Sequence, residues 1–431
     1  MQRYDTYKDS GVKWLGEIPS HWEMLPGLAI FKENKEKNSN LAVNTVLSLS
    51  YGKIVVKKDI DEGLVPAEYN TYQIVHPGYI IIRCTDLQND KVSLRTGLVK
   101  DDGIITGAYL GLVTNGKYNS SFMHYFLHAW DITKEIYRHG NGLRQSLSWL
   151  DLRRLPILIP PIAEQTAIAA YLDTATAQID AAIAQQQKMI DLLNERKQII
   201  INRAVTKGLN PNVKMKDSGV EWIGEVPEGW EVKKLGYCID ILPGYAFPSQ
   251  DFVENGIKLL RGINVSPEKI RWEESVYWNK TIDDTLKKYM LEVNDLVLGL
   301  DRPWIGSGTR VAIVKKEDLP CLLVQRVCRI RPTNMMSINY IYYLLSNNLF
   351  YNALAVDTTG VSVPHISTEQ IKKVVIPIPK LSEQNAIVEY IEMHIASINK
   401  AIQAANNQIS LLQERKQIII NEVVTGKVKV V

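Results

Sequence analysis

The chain has 431 residues, which is too long for one ordinary domain and predicts two or three. Its apolar fraction of 45% and charged fraction of 23% are those of a folded globular protein and exclude an intrinsically disordered chain. The sequence has no apolar run of the roughly 18 residues that a membrane helix needs, and its first residues lack the apolar core of a signal peptide. We therefore expect a cytoplasmic protein without membrane contacts.

Cysteine and charge content narrow the function further. The four cysteines show no CxxC spacing and fit neither a zinc site nor a disulfide framework, so we expect buried free thiols. The net charge of +3 is small for a protein that neutralises many phosphates alone. Binding to nucleic acid would therefore depend on a local cationic patch or on a partner.

The most informative feature in chain order is an internal duplication. An opening motif, a proline-rich closing motif and an eight-residue block each occur twice, at Asp9–Pro19 and Asp217–Pro227, Ile159–Ile168 and Ile378–Ile387, and Glu195–Asn202 and Glu414–Asn421. The opening motifs are 208 residues apart (217 minus 9) and the identical eight-residue blocks are 219 apart (414 minus 195). A period this long indicates duplicated domains rather than a solenoid.

The segments between the opening and closing motifs, called here the first and second interiors, differ in sequence from each other. Both contain short β-rich runs broken by Gly, Asn and Asp, at Tyr79–Arg83, Ile104–Val113, Asp295–Leu300, Arg310–Val314 and Leu322–Ile330. Helical patterns follow at Ser121–Ile136 and Ser337–Asn352. The sequence predicts an α+β globule with mixed sheets in each copy.

A long helix is predicted after each closing motif. Residues 164–205 contain no Gly or Pro. Apolar residues recur at heptad spacing in both copies, as Leu172, Ile179, Leu193 and Ile200 with Ile183 and Ile190, and as Ile391, Ile398, Leu412 and Ile419 with Ile402 and Ile409. Gln186 and Ala405 interrupt these seams. A single apolar stripe needs a partner, so the two helices are expected to pair as an antiparallel coiled coil, although each could instead pack on its own globule.

The predicted organisation therefore has four segments: a globular domain at 1–158, a long helix at 159–210, a second globular domain at 211–377 and a second long helix at 378–431. The two globules are expected to be pseudo-symmetric and separated by the helices. Because a rod of fixed length sets the distance between them, inserting about one helical turn at Gln185–Lys188 should change that distance.

Catalytic motifs are missing from the sequence. It has no P-loop, no GxGxxG after a strand, no [DN]PP[YFW] and no evident PD…(D/E)xK pattern. His124 and His128 are four residues apart, but Tyr125 stands where HExxH requires Glu, and a partly buried structural pair is the simpler interpretation.

The repeated frame resembles the specificity (S) subunit of type I restriction–modification systems. The resemblance rests on Ser-Gly, Trp, Gly and Pro of the opening motif, on Pro-x-x-x-Glu-Gln in the closing motif and on Glu-Arg-Lys near the helix ends, each present twice and in order. It implies that each interior is a target recognition domain that reads one half of a split double-stranded DNA sequence. It also implies a non-catalytic chain that joins two modification subunits and two restriction subunits, which would bind S-adenosylmethionine, ATP and Mg²⁺, while this chain holds no cofactor.

Direct readout in the major groove uses Arg with guanine and Asn or Gln with adenine. Candidates in the first interior are polar or aromatic residues in Gly-marked loops near predicted strands, namely Arg83, Arg95, Tyr109, Arg138, Asn141, Arg144 and Gln145. Candidates in the second interior are Tyr245, Phe247, Arg261, Asn264, Arg302, Arg310, Gln325 and Arg326. Because a surface Arg is often only solvated and an aromatic residue is often core, each of these is also compatible with a structural role.

Two other functions stay open at the level of sequence. One is a stand-alone DNA-modifying enzyme, a nuclease or methyltransferase with a degenerate motif. The other is a coiled-coil scaffold that binds only proteins, in which case the interiors should present no cationic face. Binding of S-adenosylmethionine by the purified chain would favour the first alternative.

Overall fold

The structure is a computed structural model, which describes residues 2–57, 69–140, 145–305, 308–355 and 365–430, without the side chains of Asn352 and Ala355. The chain divides into two compact units. Unit 1 contains residues 1–187 and 406–431, and unit 2 contains residues 188–405. The four-segment division predicted from the sequence treats the helices as separate segments, whereas here each unit includes part of both long helices. Among the described residues, no helix is long and apolar enough to cross a bilayer.

Unit 1 is built on short strands. Its largest sheet has four antiparallel strands in the order Phe31–Glu33, Leu110–Thr114, Ile80–Ile82, Thr96–Leu98. The other strands are Tyr7–Asp9, Glu17–Pro19, Glu23–Pro26, Leu47–Ser50, Lys53–Val56, Gln73–Val75, Gly103–Ile105 and Pro156–Ile159. Its shorter helices are Gly27–Ile30, Ser120–Ile132, Trp149–Leu152 and the 3₁₀ turn Glu135–Arg138.

Unit 2 has a different interior built on a comparable sheet. Four antiparallel strands lie in the order Ile239–Pro243, Val327–Pro332, Leu296–Gly299, Val311–Ile313. The other strands are Met215–Asp217, Glu225–Pro227, Glu231–Lys234, Ile257–Leu260, Val265–Ser266, Lys269–Ile270, Tyr277–Trp278, Trp304–Ile305, Gly308–Thr309, Cys321–Leu323 and Val375–Ile378. Its shorter helices are Asp284–Lys287, Ile338–Leu345, Asn348–Ala355 and Thr368–Lys373, with 3₁₀ turns at Leu235–Tyr237, Ser249–Asp251, Gly262–Asn264 and Lys316–Asp318.

Two predicted β-rich runs each contain two strands. The predicted run Ile104–Val113 turns near Gly107, so that Gly103–Ile105 and Leu110–Thr114 join different sheets. Within the run Leu322–Ile330, one strand ends at Leu323 and the next begins at Val327. Arg326, with a φ of 68°, lies in the turn between them. The sequence did not separate these strands, because apolar content alone does not show where the chain reverses.

The two long helices are Ile162–Lys207 and Leu381–Val424, and they run antiparallel inside each unit. In unit 1 the start of the first helix lies beside the N-terminal residues Tyr4 and Tyr7, and Tyr7 OH donates to Gly426 O, just beyond the end of the second helix. Deeper in the pair, Lys416 Nζ lies 2.6 Å from Asp180. The helices of unit 1 therefore contact each other as well as their globule.

Unit 2 repeats this arrangement with the roles of the helices exchanged. Tyr340 OH donates to Val205 O near the end of the first helix and to Pro377 O just before the second. Lys197 Nζ of the first helix donates to Asn399 Oδ1 of the second at 3.3 Å. Lys197 and Asn399 lie 219 residues from the positions of Lys416 and Asp180, respectively, so the same cross-helix contact occurs in both units.

The predicted heptad seams form the helix contacts, with a drift at one end. Leu172, Ile179, Ile391, Ile398 and Ile419 are all buried. Near the end of the first helix, however, Ile201 is buried instead of the predicted Ile200. A straight helix has 3.6 residues per turn, so a strict seven-residue repeat drifts around it and the neighbouring position takes over the buried site.

The opening motif forms a hairpin in each unit. Asp9 Oδ1 accepts from Gly11 N at 3.0 Å, and Asp217 Oδ1 accepts from Gly219 N at 2.9 Å. Both glycines adopt a φ of 68°, the left-handed region that favours glycine. The tryptophans of the motif pack on the globules, Trp14 against Phe126 and Trp222 against Phe350. These contacts are those of a structural anchor.

The closing motif joins each long helix to its globule through buried hydrogen bonds. Its glutamates accept from buried indoles, Glu164 from Trp22 Nε1 and Glu383 from Trp230 Nε1, both at 2.9 Å. Its glutamines donate from their side-chain amides to the backbone carbonyl of the proline in the same motif. Gln165 donates to Pro160 O, and Gln384 donates to Pro379 O.

Each of these glutamines also accepts the backbone N–H at the start of a globule helix. Gln165 accepts from Asn119, which precedes the helix Ser120–Ile132, and Gln384 accepts from Ser337, which precedes Ile338–Leu345. The Glu-Gln pair is therefore structural: it fixes the first turn of a long helix to both the opening segment and the globule.

Candidate nucleic-acid interface

Most of the predicted residues in unit 2 come together at one end of the four-stranded sheet. Arg302 follows the strand Leu296–Gly299, and Arg326 lies in the turn before Val327–Pro332. Arg310 is adjacent because Gly299 N donates to Arg310 O. A Cβ at Gly262 would lie 3.8 Å from Arg310 Nη2 and 3.9 Å from Arg326 O, which places the Arg261 loop at the same end. We call Arg261, Arg302, Arg310 and Arg326 the unit 2 arginine cluster.

The centre of this cluster is Asp301, a residue that the sequence analysis missed. One carboxylate oxygen accepts from Arg326 at 2.9 Å, and the other lies 2.6 Å from His365 Nδ1. The backbone carbonyl of Asp301 accepts from Arg310 at 2.9 Å. Burial lowers the pKa of Arg310, and the neighbouring Asp301 opposes that shift. Asp301 thus contacts Arg326 and His365 through its carboxylate and Arg310 through its backbone carbonyl.

The residues of the cluster differ in accessibility. Arg302, Gln325 and Arg326 are exposed, whereas Arg261 and Arg310 are half-buried. Arg302 and Arg326 have φ values of 43° and 68°, a left-handed conformation that directs both residues out of the strand geometry. Gln325 shares the turn with Arg326, and its backbone N–H donates to Tyr245 O. The exposed guanidinium groups and the amide are the types of group that read base edges or bind phosphates.

Three other residues predicted in the second interior have structural contacts. Asn264 is buried, where it accepts from Arg261 N and donates to Arg271 O to close a loop. Phe247 is buried in a small core with Trp278. Tyr245 is half-buried, and its ring packs against Phe247.

In unit 1, Arg95 organises the predicted loops from inside. It is fully buried, and its guanidinium donates to the carbonyls of Arg83, Thr85 and Asp86 at 2.8–3.2 Å, to Asp90 O and to Tyr137 OH. With these bonds made, Arg95 ties the segment 83–95 to the turn around Tyr137. Gln145 supports the same turn by donating to Tyr137 O and His139 O.

The accessible predicted cations of unit 1 flank this buried hub. Arg138 is exposed and pairs with Glu135 at 3.3 Å, while Arg83 is half-buried beside Asp90 at 3.1 Å. Hydrogen bonds from the backbone N–H and the hydroxyl of Ser93, together with the charge of Arg83, lower the pKa of Asp90 to about 2. Tyr109 lies apart from these loops, half-buried against the core of Leu47 and Val75. Asn141 and Arg144 lie outside the described residues.

The described acidic, histidine and cysteine residues form no metal-ligand group, since no three or more of them lie together where they could hold a metal ion. All four cysteines are buried and unpaired, and burial raises the pKa of the Cys84 and Cys328 thiols to about 12. Asp301 and His365 could have been suspected only from their sequence neighbours, since an isolated Asp or His gives no periodic signal.

Comparisons with known proteins agree with this arrangement. The profile of the type I restriction modification DNA specificity domain matches residues 227–410. The chain is 34% identical over 280 residues to the type I restriction enzyme MjaVIII specificity subunit of Methanocaldococcus jannaschii, covering 64% of this chain and 63% of that protein. It is 37% identical over 177 residues to the type I restriction enzyme EcoAI specificity subunit of Escherichia coli, covering 41% and 30%. The chain thus spans less than two thirds of the length of these relatives.

The fold has a counterpart among solved structures. A chain described under "Structural basis underlying complex assembly and conformational transition of the type I R-M system" superposes with a TM-score of 0.66 at 15% identity, covering 94% of this chain and 98% of that chain. At this identity the likeness concerns the fold, and it extends over nearly the whole length of both proteins. The profile and the curated relatives lead to one conclusion: this chain is similar to type I restriction enzyme specificity subunits, and its residues 227–410 match their DNA specificity domain.

Proposed function

We propose that this chain reads a two-part DNA sequence for a type I restriction–modification complex and has no catalytic site of its own. The observation that carries the proposal is a duplicated frame around two unlike interiors, each with at least one exposed arginine among the predicted residues. Loops on a rigid scaffold are where binding residues concentrate. Because the interiors differ, the two half-sites should differ, and the target should not be palindromic.

The exposed side chains of each unit are the proposed DNA contacts. In unit 2 these are Arg302, Gln325 and Arg326, joined by the half-buried Arg261 and Arg310, and in unit 1 it is Arg138, joined by the half-buried Arg83. Phosphate contacts position a protein on DNA, whereas bidentate contacts from Arg or Gln to base edges specify the sequence. The formal net charge is only +3, so the partner subunits would have to supply part of the positively charged surface that contacts the DNA phosphates.

Two equivalent apolar faces on the long helices would dock the modification subunits. Leu192 and Ile199 of the first helix are 56% and 58% exposed, and Leu411 and Ile418 of the second are 60% and 47% exposed. Each pair is seven residues apart and the pairs are related by the 219-residue repeat, so unit 2 and unit 1 carry one face each. Two copies of one surface fit two copies of one partner. Exposed Glu195-Arg196 and Glu414-Arg415 would supply the polar rim.

The chemistry would then belong to the partners. The modification subunits would methylate adenine N6 with S-adenosylmethionine, and two restriction subunits would use ATP and Mg²⁺ for translocation and cleavage. This chain would bind none of these cofactors and would act in the cytoplasm, where the DNA is.

The decisive experiment is adenine methylome sequencing of a host that expresses this chain with its modification subunit. We expect one new bipartite, asymmetric methylation motif that disappears when either partner is omitted. A parallel assay tests the chain alone for S-adenosylmethionine binding and DNA cleavage. A palindromic motif, no motif, or catalysis by the isolated chain would contradict the proposal.

A further inference from the structure

Unit 2 carries an Asp–His pair beside its candidate DNA contacts. An isolated antiparallel bridge joins His365 to Asp301. Ile366 N donates to Leu300 O at 2.9 Å, which fixes this segment at the end of the strand Leu296–Gly299. The imidazole is fixed as well, because its Nδ1 lies 2.6 Å from Asp301 Oδ1. The side chain of His365 is nonetheless 53% exposed, so it is rigidly held and still faces solvent.

The pairing determines which ring nitrogen is left for another molecule. An ionised carboxylate only accepts hydrogen bonds, so Nδ1 of His365 carries a proton and the neutral ring has its lone pair on Nε2. Within the described residues, Nε2 makes no hydrogen bond. An exposed imidazole is neutral in mildly alkaline buffer, and Nε2 is then a hydrogen-bond acceptor.

The charged neighbours of this pair are arginines, which cannot supply an acceptor. Arg326 donates to the second carboxylate oxygen of Asp301 at 2.9 Å. Arg310 donates to the backbone carbonyl of Asp301, and Arg302 is the next residue in the chain. Arginine has only donors, which suit guanine and phosphate, whereas an amino group on a base edge requires an acceptor. His365 therefore adds a hydrogen-bonding capacity that the arginines lack.

The equivalent place in unit 1 is identified by a shared backbone contact. Leu147 N donates to Cys84 O at 2.9 Å. This bond is the counterpart of the one from Ile366 N to Leu300 O, because Leu147 and Ile366 are 219 residues apart, the spacing of the identical eight-residue blocks. In both units an arginine also donates to the carbonyl of the next residue, after Cys84 and after Leu300. The two segments therefore correspond residue by residue.

Unit 1 lacks the Asp–His pair at this place. Thr85 has the position of Asp301, and Ser146 has the position of His365. Neither hydroxyl side chain changes its charge near neutral pH. The pair is thus a property of the second interior and not of the repeated frame. In a protein that reads two different half-sites, a residue present in only one interior serves only one of them.

We propose that His365 is a further sequence-reading residue of unit 2. Its Nε2 accepts a hydrogen bond from the amino group of a base in the major groove, adenine N6 or cytosine N4. Asp301 is the positioning residue, because it fixes the ring and keeps a proton on Nδ1. Protonation of the ring replaces the acceptor by a donor, so reading of this base fails as the pH falls. The inference rests on the proposed DNA-reading function.

The test uses the complete methyltransferase complex. Its affinities for the cognate duplex and for single-mismatch duplexes are measured by fluorescence anisotropy at about pH 8 and about pH 6. At the higher pH, His365→Ala should weaken cognate binding about threefold to tenfold, the loss expected for one hydrogen bond, and should lose discrimination at one base pair. In the wild type, discrimination at that base pair should fall at the lower pH. His365→Gln, whose amide does not titrate, should show no such change.

The amino group itself is tested with duplexes that lack it. Purine in place of adenine, or pyrimidin-2-one in place of cytosine, is introduced at the affected position. One of these substitutions should weaken wild-type binding as much as His365→Ala does, and it should not weaken binding by His365→Ala any further. The substitution that has this effect identifies the base.

His76→Ala is the matched control. Nδ1 of His76 also lies 2.6 Å from a carboxylate, that of Asp102 in unit 1, and its side chain is 46% exposed. This variant should keep the discrimination that His365→Ala loses. A wild-type complex that binds no bipartite target would overturn the proposed function together with this inference. If the wild type reads its target, then full discrimination by His365→Ala, uniform weakening over all duplexes, or equal wild-type discrimination at both pH values would overturn this inference alone.

Discussion

Replacing Arg326 by Ala separates DNA reading from folding. The side chain is 69% exposed, and its pair with Asp301 lies at the surface, where such a pair contributes about 0–1 kcal/mol to stability. We therefore expect the free energy of unfolding to change by less than about 1 kcal/mol. If Arg326 reads a base, binding of the methyltransferase complex to its cognate duplex should weaken by about 1–3 kcal/mol, with relaxed specificity at one position.

The assay is fluorescence anisotropy on cognate and single-mismatch duplexes at several salt concentrations, together with urea unfolding. A phosphate contact would give uniform weakening across sequences and lower the slope of log affinity against log salt by about 0.9. Arg203→Ala, an exposed arginine of the first long helix outside the arginine cluster, is the matched control and should change neither quantity.

Arg95→Ala should have the opposite effect to Arg326→Ala, because it should reduce stability rather than DNA binding. Arg95 is fully buried, and its loss leaves the carbonyls of Arg83, Thr85 and Asp86 without their donor. Each unpaired buried group costs about 1–3 kcal/mol, so unit 1 should be destabilised by about 3 kcal/mol or more. Unchanged DNA binding by Arg326→Ala, or a stable Arg95→Ala chain with a purely DNA-binding defect, would refute this assignment.

Three further changes test the frame. Gln384→Leu removes the bonds to Ser337 N and Pro379 O and should destabilise unit 2 by about 2–4 kcal/mol in urea unfolding, whereas the exposed Gln413→Leu should not. Burial lowers the pKa of His128 to about 4, below the value of about 6.5 in an unfolded chain, so the unfolded state binds the proton first and stability falls as the pH drops below about 6.5. His128 should contribute about 2 kcal/mol to the loss between pH 7 and 5, and His128→Asn should remove that contribution, while His124, whose pKa burial lowers to about 3, keeps its own. Leu192→Glu should remove one of two modification subunits in native mass spectrometry, and an unchanged stoichiometry would move the docking face elsewhere.

The architecture was predictable because its signals are repetitive. Identical blocks 219 residues apart reveal duplication without any knowledge of structure, and a heptad pattern predicts a long helix from local spacing alone. The antiparallel pairing followed because a lone apolar stripe needs a partner. What each motif does was not predictable: the Glu-Gln pair bonds to Trp22 and Asn119, which are far from it in sequence.

The candidate site was predictable only in part, since burial depends on how distant loops fold over one another. Arg95 and Arg326 look alike in sequence, yet one is enclosed by carbonyls and the other is exposed. Phe247 and Asn264 stand in Gly-marked segments like the exposed candidates, but Phe247 packs in a small core and Asn264 is buried where it closes a loop. Asp301 was missed because a carboxylate does not suggest DNA binding until the arginines around it are seen.

The contact between each interior and the helix pair shows how interiors can diverge on a constant frame. In unit 1, Lys53 of a hairpin lies 2.8 Å from Asp180, which Lys416 also binds. Burial alone would raise the pKa of Asp180, but hydrogen bonds from both lysines outweigh it and lower that pKa. In unit 2 the helix position equivalent to Asp180 is Asn399. Glu268, in the turn between the strands Val265–Ser266 and Lys269–Ile270, pairs with Lys197. The interior therefore presents a lysine to the helix pair where a helix carries a carboxylate, and a glutamate where that carboxylate is replaced by Asn399.

This complementarity predicts that interiors cannot be exchanged freely. Grafting the first interior onto the frame of unit 2 would place Lys53 beside Lys197 with Asn399 in place of a carboxylate, which leaves two like charges together. We expect such a chimera to be about 1 kcal/mol less stable than its parent in urea unfolding at low salt, and Asn399→Asp should restore that loss by recreating the unit 1 network. Asn407→Asp, elsewhere on the same helix, adds the same charge and should not rescue. Equal stability of the chimera with and without Asn399→Asp would mean that the helix charge does not interact with the hairpin lysine. Packing alone would then decide which interiors can be exchanged.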